Sequence, residues 1–229
     1  MARPDGVSVD VLTFPTRDEQ AAALARRVAD DLGSAIVARG RASLAVPGGT
    51  TPAAFLDSLA THGIDWPRVR VTLTDERLVP ADDPRSNARL VRENLIRLAA
   101  GLRFVPLAAP DGAPRADAVE SLLPLDVCVL GMGADAHTAS LFPGADGLDA
   151  ALDPAAPGAT AVLHPPGVPE ARITLTARAL LSASCIYVLI AGPDKRAALD
   201  RALGPGPEAE APVRAVLRGP RPAVVYYAP

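Results

Sequence analysis

Short apolar segments with the character of buried strands alternate with helix-forming segments along the whole chain. The predicted strands cover residues 7–14, 42–46, 69–73, 125–130, 160–163, 173–176, 185–191 and 223–227. The predicted helices cover residues 17–39, 52–60, 86–99, 194–203 and 212–217, with a further short helix ending near residue 123. Such alternation is typical of a mainly parallel sheet with helices on both faces. With no repeat and no clear linker, the sequence predicts a single α/β domain over residues 1–229.

Capping and loop residues set the limits of several of these segments. Thr16, followed by Glu19 three residues later, has the spacing of a capping box, and Gly40 is placed to end the long first helix. Residues 74–84 are predicted to form a polar loop. Residues 143–158, which are rich in Ala, Asp, Gly and Pro, are predicted to form a surface excursion.

Composition excludes several classes of protein. Hydrophobic residues make up 49% of the chain but aromatic residues only 3%, so aliphatic side chains must fill the core. No apolar run reaches membrane-spanning length and the first residues lack the apolar centre of a signal peptide, which predicts a cytoplasmic protein with no membrane partner. The net charge of −3 and the lack of a basic stripe argue against nucleic acid as a partner. Cys128 and Cys185 lie in apolar runs and are expected to be reduced thiols.

A glycine-rich turn follows the predicted strand 125–130 and carries the carboxylate of Asp135 and the imidazole of His137. Ligands of open α/β sheets bind beyond the carboxyl ends of the strands, and imidazole exchanges protons near neutral pH. The turn also fits the dinucleotide-binding pattern G-x-G-x-x-A, but Asp135 would place negative charge where a pyrophosphate should lie. No third metal ligand has a convincing spacing, so a metal is not expected. A structural histidine in a turn is the alternative.

Two further features at predicted strand ends are suited to binding an anion. A segment between a strand and a helix can cradle a phosphate with its backbone amides, and Thr51 is its predicted N-cap: Gly48-Gly49-Thr50-Thr51-Pro52. A capped turn with flexible glycines is the alternative. Lys195 is the one lysine among 23 basic residues and falls in the first turn of a predicted helix, where the helix dipole disfavours a cation. A bound anion would remove that penalty, whereas a solvated surface lysine is the alternative.

Polar residues also follow the predicted strand 69–73, in the order Thr74-Asp75-Glu76-Arg77. Two carboxylates and an arginine at the carboxyl end of a strand are typical of a site, although an exposed loop with a local ion pair is the alternative. Four polar patches thus lie at predicted strand ends. Together they indicate one site with two candidate anion-binding elements and a proton-handling pair.

These motifs resemble those of the 6-phosphogluconolactonase family, in the same order and over nearly the whole chain. The segments that carry the resemblance are residues 47–52, 74–77, 82–87, 131–143, 172–176 and 192–195. The resemblance implies the three-layer α/β fold of the glucosamine-6-phosphate deaminase/isomerase group, in agreement with the alternation of strands and helices. Ala136 is a departure, since the family usually has glycine there, where the backbone could need a positive φ.

The deaminases of that group share the glycine loop, the acidic strand end, the histidine turn and the lysine. They typically carry a catalytic glutamate shortly after the histidine. Phe142 takes that position here, and a phenylalanine cannot exchange protons. The resemblance therefore implies a lactonase, with a deaminase/isomerase or a non-catalytic sugar-phosphate-binding protein as the alternatives.

A lactonase of this family implies hydrolysis of 6-phospho-D-glucono-1,5-lactone to 6-phospho-D-gluconate in the oxidative pentose phosphate pathway. His137 is then the general base that activates water, and Asp135 or Asp75 orients the imidazole or the sugar hydroxyls. The phosphate is held by Gly48, Gly49, Thr50, Thr51, Arg77 and Lys195, with Arg172 as a further contact. The resemblance implies no cofactor and no metal. The expected partner is the phosphorylated sugar lactone, bound by a monomer or a small homo-oligomer.

Overall fold

The computed structural model describes residues 9–49, 51–80, 82–110, 112–221 and 223–229. Within these ranges the strands are β1 (Val11–Thr13), β2 (Ala42–Val46), β3 (Val69–Leu73), β4 (Asp75–Arg77), β5 (Arg103–Phe104), β6 (Val127–Gly131), β7 (Thr160–Leu163), β8 (Arg172–Leu175), β9 (Cys185–Ala191) and β10 (Val224–Ala228). The α-helices are α1 (Arg17–Arg39), α2 (Pro52–Ala60), α3 (Asn87–Val91), α4 (Ala116–Glu120), α5 (Leu148–Leu152), α6 (Ala177–Leu181), α7 (Pro193–Leu203) and α8 (Arg214–Leu217).

Seven strands form one parallel sheet in the order β1-β10-β9-β6-β2-β3-β5. The mainly parallel α/β fold predicted from the alternation is confirmed. The strands β9, β6, β2 and β3 lie side by side in the middle of this sheet. Because parallel strands have their carboxyl ends at the same edge, the polar segments that follow these four strands meet there.

A second, antiparallel sheet has the order β4-β8-β7, and its β4 was not predicted. The prediction of a polar loop over residues 74–84 is wrong for β4, which places Asp75 opposite Thr174 and Arg77 opposite Arg172. A polar strand of three residues has no apolar alternation of its own. Its pairing with a distant strand therefore determines its conformation, and no local pattern reveals it.

Other segments also differ from their predictions. The expected surface excursion over residues 143–158 contains α5, which buries Leu148, Ala151 and Leu152 at helical spacing. The helix predicted over residues 86–99 begins as α3 and continues as a π-helical turn, Arg92–Ile96. The first strand is β1 rather than residues 7–14, of which 7 and 8 lie outside the described residues.

Local signals define both ends of α1 as predicted. The hydroxyl oxygen of Thr16 accepts a hydrogen bond from the backbone N–H of Glu19 at 3.2 Å. Gly40, with φ of 72°, donates its own N–H to the carbonyl oxygen of Ile36. The helix buries one apolar face that includes Leu24, Val28 and Leu32. Each such fully buried side chain stabilises the fold by about 2 kcal/mol.

The core is aliphatic, as the composition predicted, and Phe55 is the largest of its fully buried side chains. Cys128 and Cys185 are free; Cys128 is buried, and burial raises its pKa to about 12, whereas Cys185 is only partly buried. Across the described ranges, no helix combines the length and the apolar character that crossing a bilayer requires.

Candidate active site

A cleft of about 250 Å³ opens where the loops after the central strands meet. Most of the residues predicted to form a site line it, namely Gly48, Gly49, Asp75, Arg77, His137, Arg172 and Lys195. Asp135 does not line the cleft but is hydrogen-bonded to Nδ1 of His137. Thr51 is not among the lining residues. Thr50 lies outside the described residues. In the part of the chain that the structure describes, no three His, Cys, Asp or Glu side chains are grouped to hold a metal ion.

Asp135, Phe142 and Gly133 surround the imidazole of His137. Its Nδ1 lies 2.6 Å from Oδ1 of Asp135, which also accepts the backbone N–H of His137 at 3.1 Å. One face of the ring stacks on Phe142, with the centroids 3.9 Å apart and the planes 24° from parallel. A Cβ on Gly133 would lie only 2.3 Å from the ring, so this position requires glycine. With Nδ1 donating to Asp135, Nε2 is the nitrogen free to accept a proton.

The carboxylate of Asp135 is kept ionised by this contact. Partial burial by itself raises the pKa of Asp135, but the hydrogen bonds and the charge of His137 lower it by more. The net result is a pKa below the ordinary value of an aspartate. Asp135 can therefore fix the tautomer and the orientation of His137 and can stabilise its protonated form.

The turn that carries this pair is closed by its own backbone. The N–H of Gly133 donates to the carbonyl oxygen of His137, and the N–H of Ala136 donates to the carbonyl oxygen of Gly133, both at 3.0 Å. Ala136 has φ of 64°, in the left-handed region that favours glycine. The departure from the family pattern at this position therefore leaves the conformation in place, with strain of about 1–2 kcal/mol.

Asp75 lines the cleft itself, whereas Asp135 reaches it only through His137. Its Oδ2 accepts a hydrogen bond from the hydroxyl of Ser140 at 2.6 Å, and its carbonyl oxygen accepts one from the side-chain amide of Asn87 at 2.9 Å. Asp75 is 8% exposed and Ser140 is fully buried. Of the two aspartates that the sequence left as alternatives, Asp135 is the one hydrogen-bonded to His137, while Asp75 presents a fixed carboxylate to the cleft.

Arg77 and Arg172 face the cleft from paired positions on β4 and β8. The Nε of each is buried and has no hydrogen-bond partner among the described residues. Burial lowers the pKa of Arg172, and the charge of Arg77 lowers it further, whereas Asp75 and Glu170 act in the opposite direction. Two adjacent, partly unsatisfied guanidinium groups form a ready site for a doubly charged anion.

Lys195 reaches the same cleft from the first turn of α7. It is half-buried, and among the described residues it has no ion-pair partner. Burial, followed by the charge of Arg17, lowers its pKa. An anion in the cleft would offset both the desolvation of the ammonium group and its position at the positive end of the helix.

The glycine loop after β2 packs tightly against α3. A Cβ on Gly48 would lie 1.9–2.3 Å from the side-chain amide of Asn87, and Gly49 has φ of 95°. The prediction that the Thr51 side chain caps α2 is wrong, because Thr51 has helical φ and ψ of −64° and −38° and its side chain makes no capping bond. The absence of a side chain at Gly48 therefore allows the loop to lie against Asn87.

Three further side chains build the site, and none of them was predicted to contact a site residue. They are Asn87, which supports Asp75 and the glycine loop, Ser140, which holds the Asp75 carboxylate, and Phe142, which stacks on His137. Each falls inside a segment that carried the family resemblance. Their contacts depend on residues distant in the chain, so spacing alone could not assign them a role.

Comparisons with known proteins identify the family of this chain. A family model described as glucosamine-6-phosphate isomerases/6-phosphogluconolactonase matches residues 15–225. The 6-phosphogluconolactonase of Mesorhizobium japonicum is 49% identical over 234 residues, covering 98% of this chain and 98% of the relative. A crystal structure of a 6-phosphogluconolactonase from Shewanella baltica superposes with a TM-score of 0.90 at 38% identity, covering 97% of this chain and 98% of that one.

A monomeric glucosamine-6-phosphate deaminase superposes with a TM-score of 0.79 at 20% identity, covering 96% of this chain and 97% of that one, and shares the fold alone. The fold implied by the resemblance is confirmed by this superposition and by the family match. The match covers nearly the whole chain and includes every segment that lines the cleft. This chain therefore belongs to the family of glucosamine-6-phosphate isomerases and 6-phosphogluconolactonases.

Proposed function

We propose that this protein hydrolyses 6-phospho-D-glucono-1,5-lactone to 6-phospho-D-gluconate in the oxidative pentose phosphate pathway. The observation that carries the proposal is a single cleft lined by His137, which is hydrogen-bonded to Asp135, and by three cations, Arg77, Arg172 and Lys195. Such a cleft suits a substrate with a phosphate at one end and a hydrolysable carbonyl at the other. The relatives named 6-phosphogluconolactonase support the same substrate.

His137 is the general base of the proposed reaction. Nε2 takes a proton from a water molecule as the water oxygen attacks the lactone carbonyl carbon, C1. The tetrahedral intermediate then collapses by breaking the bond between C1 and the ring oxygen. The imidazolium returns its proton to that oxygen, which leaves a carboxylic acid at C1 and a free hydroxyl at C5. Asp135 stabilises the imidazolium between the two transfers.

The cations and the glycine loop position the substrate. Arg77, Arg172 and Lys195 hold the phosphate, with the backbone amides of Gly48 and Gly49 as further donors. A phosphate fixed in this way places the carbonyl beside Nε2, so that binding energy from a remote group lowers the barrier of the chemical step. Asp75 is placed to accept hydrogen bonds from the sugar hydroxyls.

Phe142 favours hydrolysis over deamination of an amino sugar. The phenyl ring lies against His137, so that wall of the cleft offers the substrate no carboxylate at this position. We further propose that residues 1–229 form one domain, because β1 and β10, from the two ends of the chain, pair with each other. We also propose a cytoplasmic location, which the free thiols fit, and a monomer or a small homo-oligomer as the assembly.

A direct assay tests the function. Freshly generated 6-phospho-D-glucono-1,5-lactone is mixed with the protein, and acid release is followed and corrected for spontaneous ring opening. We expect a rate proportional to protein concentration, and no ammonia release from glucosamine 6-phosphate. A lactone rate equal to the uncatalysed one would refute the proposal. Ammonia release would identify a deaminase, and binding of 6-phospho-D-gluconate with neither activity would identify a non-catalytic binding protein.

The Gly48→Ala substitution is expected to lower kcat/KM for the lactone by about 10–100-fold. The added methyl group would overlap the Asn87 amide and displace the loop or the α3 start, both of which shape the cleft. The matched control is Gly33→Ala, because a Cβ at Gly33 in α1 meets nothing within 4 Å. Steady-state kinetics of the two variants provide the measurement. Equal kcat/KM values in both would show that the contact with Asn87 is irrelevant to the site.

A further inference from the structure

Two hydrogen bonds from outside the turn support the turn that carries His137. Their donors are Arg201, near the end of α7, and Val213, which follows that helix in the chain. The guanidinium of Arg201, in the last turn of α7, donates from Nη2 to the carbonyl oxygen of Ala134 at 2.8 Å. The backbone N–H of Val213 donates to the carbonyl oxygen of Ala136 at 3.0 Å. These two carbonyl groups flank Asp135, the residue that orients His137. Both external bonds therefore act on the backbone of the Asp135–His137 pair.

External support matters here because the turn is strained. Ala136 holds φ of 64°, a left-handed conformation that L-residues other than glycine rarely adopt. The internal bond from the N–H of Gly133 to the carbonyl oxygen of His137 closes the turn but leaves the carbonyl groups of Ala134 and Ala136 pointing away from it. A strained conformation persists when the surrounding structure fixes it by several contacts.

The segment that provides this support is itself locked by Arg214, which is 5% exposed. Its guanidinium donates to four carbonyl oxygens, those of Arg201, Ala202, Pro205 and Pro207, at 2.8–3.1 Å. These groups belong to the negative end of α7 and the loop that follows, where a cation is favoured. Arg201 and Val213 thus lie at the two ends of a rigid segment rather than on a free loop.

Helix α7 also links two parts of the site, the ammonium group of Lys195 and the turn that carries His137. Lys195 lies in its first turn and Arg201 in its last, six residues later, which corresponds to about 9 Å along the helix axis. The ammonium group of Lys195 faces the cleft. The guanidinium of Arg201 hydrogen-bonds to the turn that carries Asp135 and His137. One helix therefore sets the distance between the phosphate contact and the base.

We propose that Arg201 is a positioning residue for His137. It acts through the carbonyl group of Ala134 to keep the Asp135–His137 pair in register with the substrate, and it touches no reacting atom. The kinetic consequence rests on the proposed lactonase function. The placement of the imidazole does not depend on that function, because nuclear magnetic resonance measures it without turnover.

The variant Arg201→Met removes the donor and keeps the aliphatic stem of an exposed side chain. Its matched control is Arg196→Met, which removes the same charge from the same helix but breaks only the surface contacts of Arg196 with Asp200 and Tyr227. We expect kcat for the lactone to fall about tenfold in Arg201→Met, with KM nearly unchanged. Arg196→Met is expected to retain both values. Arg201→Lys, which retains a charged donor on a shorter reach, is expected to recover part of kcat.

A nuclear magnetic resonance measurement reports on the imidazole without any turnover. The Nδ1 proton shared with Asp135 gives a resonance that is assigned to His137 by substituting the other two histidines, His62 and His164, with glutamine. We expect this resonance to shift in Arg201→Met and to stay in place in Arg196→Met, while the thermal unfolding midpoint changes little in either.

Unchanged kcat together with an unchanged resonance in Arg201→Met would overturn the proposal. Equal losses in Arg201→Met and Arg196→Met would also overturn it, because they would reflect charge or helix stability alone. If the unsubstituted protein hydrolyses no lactone, the proposed function fails, and the resonance of His137 still decides whether Arg201 positions the ring.

Discussion

His137→Asn is expected to lower kcat for lactone hydrolysis by about 10²–10⁴-fold. Asparagine can still donate a hydrogen bond to Asp135 from the place of Nδ1, so the turn keeps its shape. It lacks the group at Nε2 that would accept the proton of the attacking water. Because the cations that hold the phosphate are unaltered, the affinity for the product 6-phospho-D-gluconate is expected to stay close to that of the unsubstituted protein.

The measurement combines the corrected lactone assay with calorimetric titration of 6-phospho-D-gluconate. His164→Asn is the matched control, since His164 is exposed and lies outside the cleft. Retention of kcat in His137→Asn would remove His137 as the base. Loss of product binding together with kcat would instead show that the substitution damages the whole cleft.

Arg172→Met is expected to raise KM for the lactone by about 10–100-fold, with a much smaller change in kcat. Arg172 is 8% exposed and lies beside Arg77. Its guanidinium has therefore lost much of its hydration before the substrate binds. A charge-assisted hydrogen bond to phosphate in such surroundings is among the stronger polar contacts. Methionine keeps most of the side-chain volume and removes the charge.

Arg178→Met is the control for this substitution. Arg178 shares with Arg172 a buried Nε that lacks a partner among the described residues, but it pairs with Glu120 and lies outside the cleft. Initial rates over a range of lactone concentrations separate KM from kcat in both variants. Unchanged KM in Arg172→Met would exclude Arg172 from the phosphate site. An equal rise in KM in both variants would point to the net charge of the protein.

The predictions that succeeded concern features that depend on a few neighbouring residues. The capping residues of α1 act within four residues of the helix ends, so Thr16 and Gly40 are readable from local sequence. The parallel strands β2, β3 and β9 coincide with their predicted limits, because a short segment rich in apolar and β-branched residues between turn or polar residues is a local property. The position of polar motifs just after these strands also followed from the sequence.

Other features failed prediction because they depend on contacts between distant parts of the chain. The strand β4 exists through pairing with β8, about 100 residues further on, and only that pairing places Arg77 beside Arg172. The close approach of Gly48 to the Asn87 side chain is another such contact, and the cap predicted at Thr51 is absent because Thr51 has helical φ and ψ. A local pattern contains neither partner of such a contact.

The sequence by itself determined the alternation of the central strands β2, β3, β6 and β9 with helices, the ends of α1, and the four polar motifs at strand ends, because periodicity and capping act over a few residues. Only the tertiary structure decided that Asp135 rather than Asp75 bonds to His137, and that Ser140 holds Asp75. It also decided that α7 supports the histidine turn through Arg201. Those relations require side chains from separate strands and helices to meet, and chain geometry in three dimensions sets which of them do.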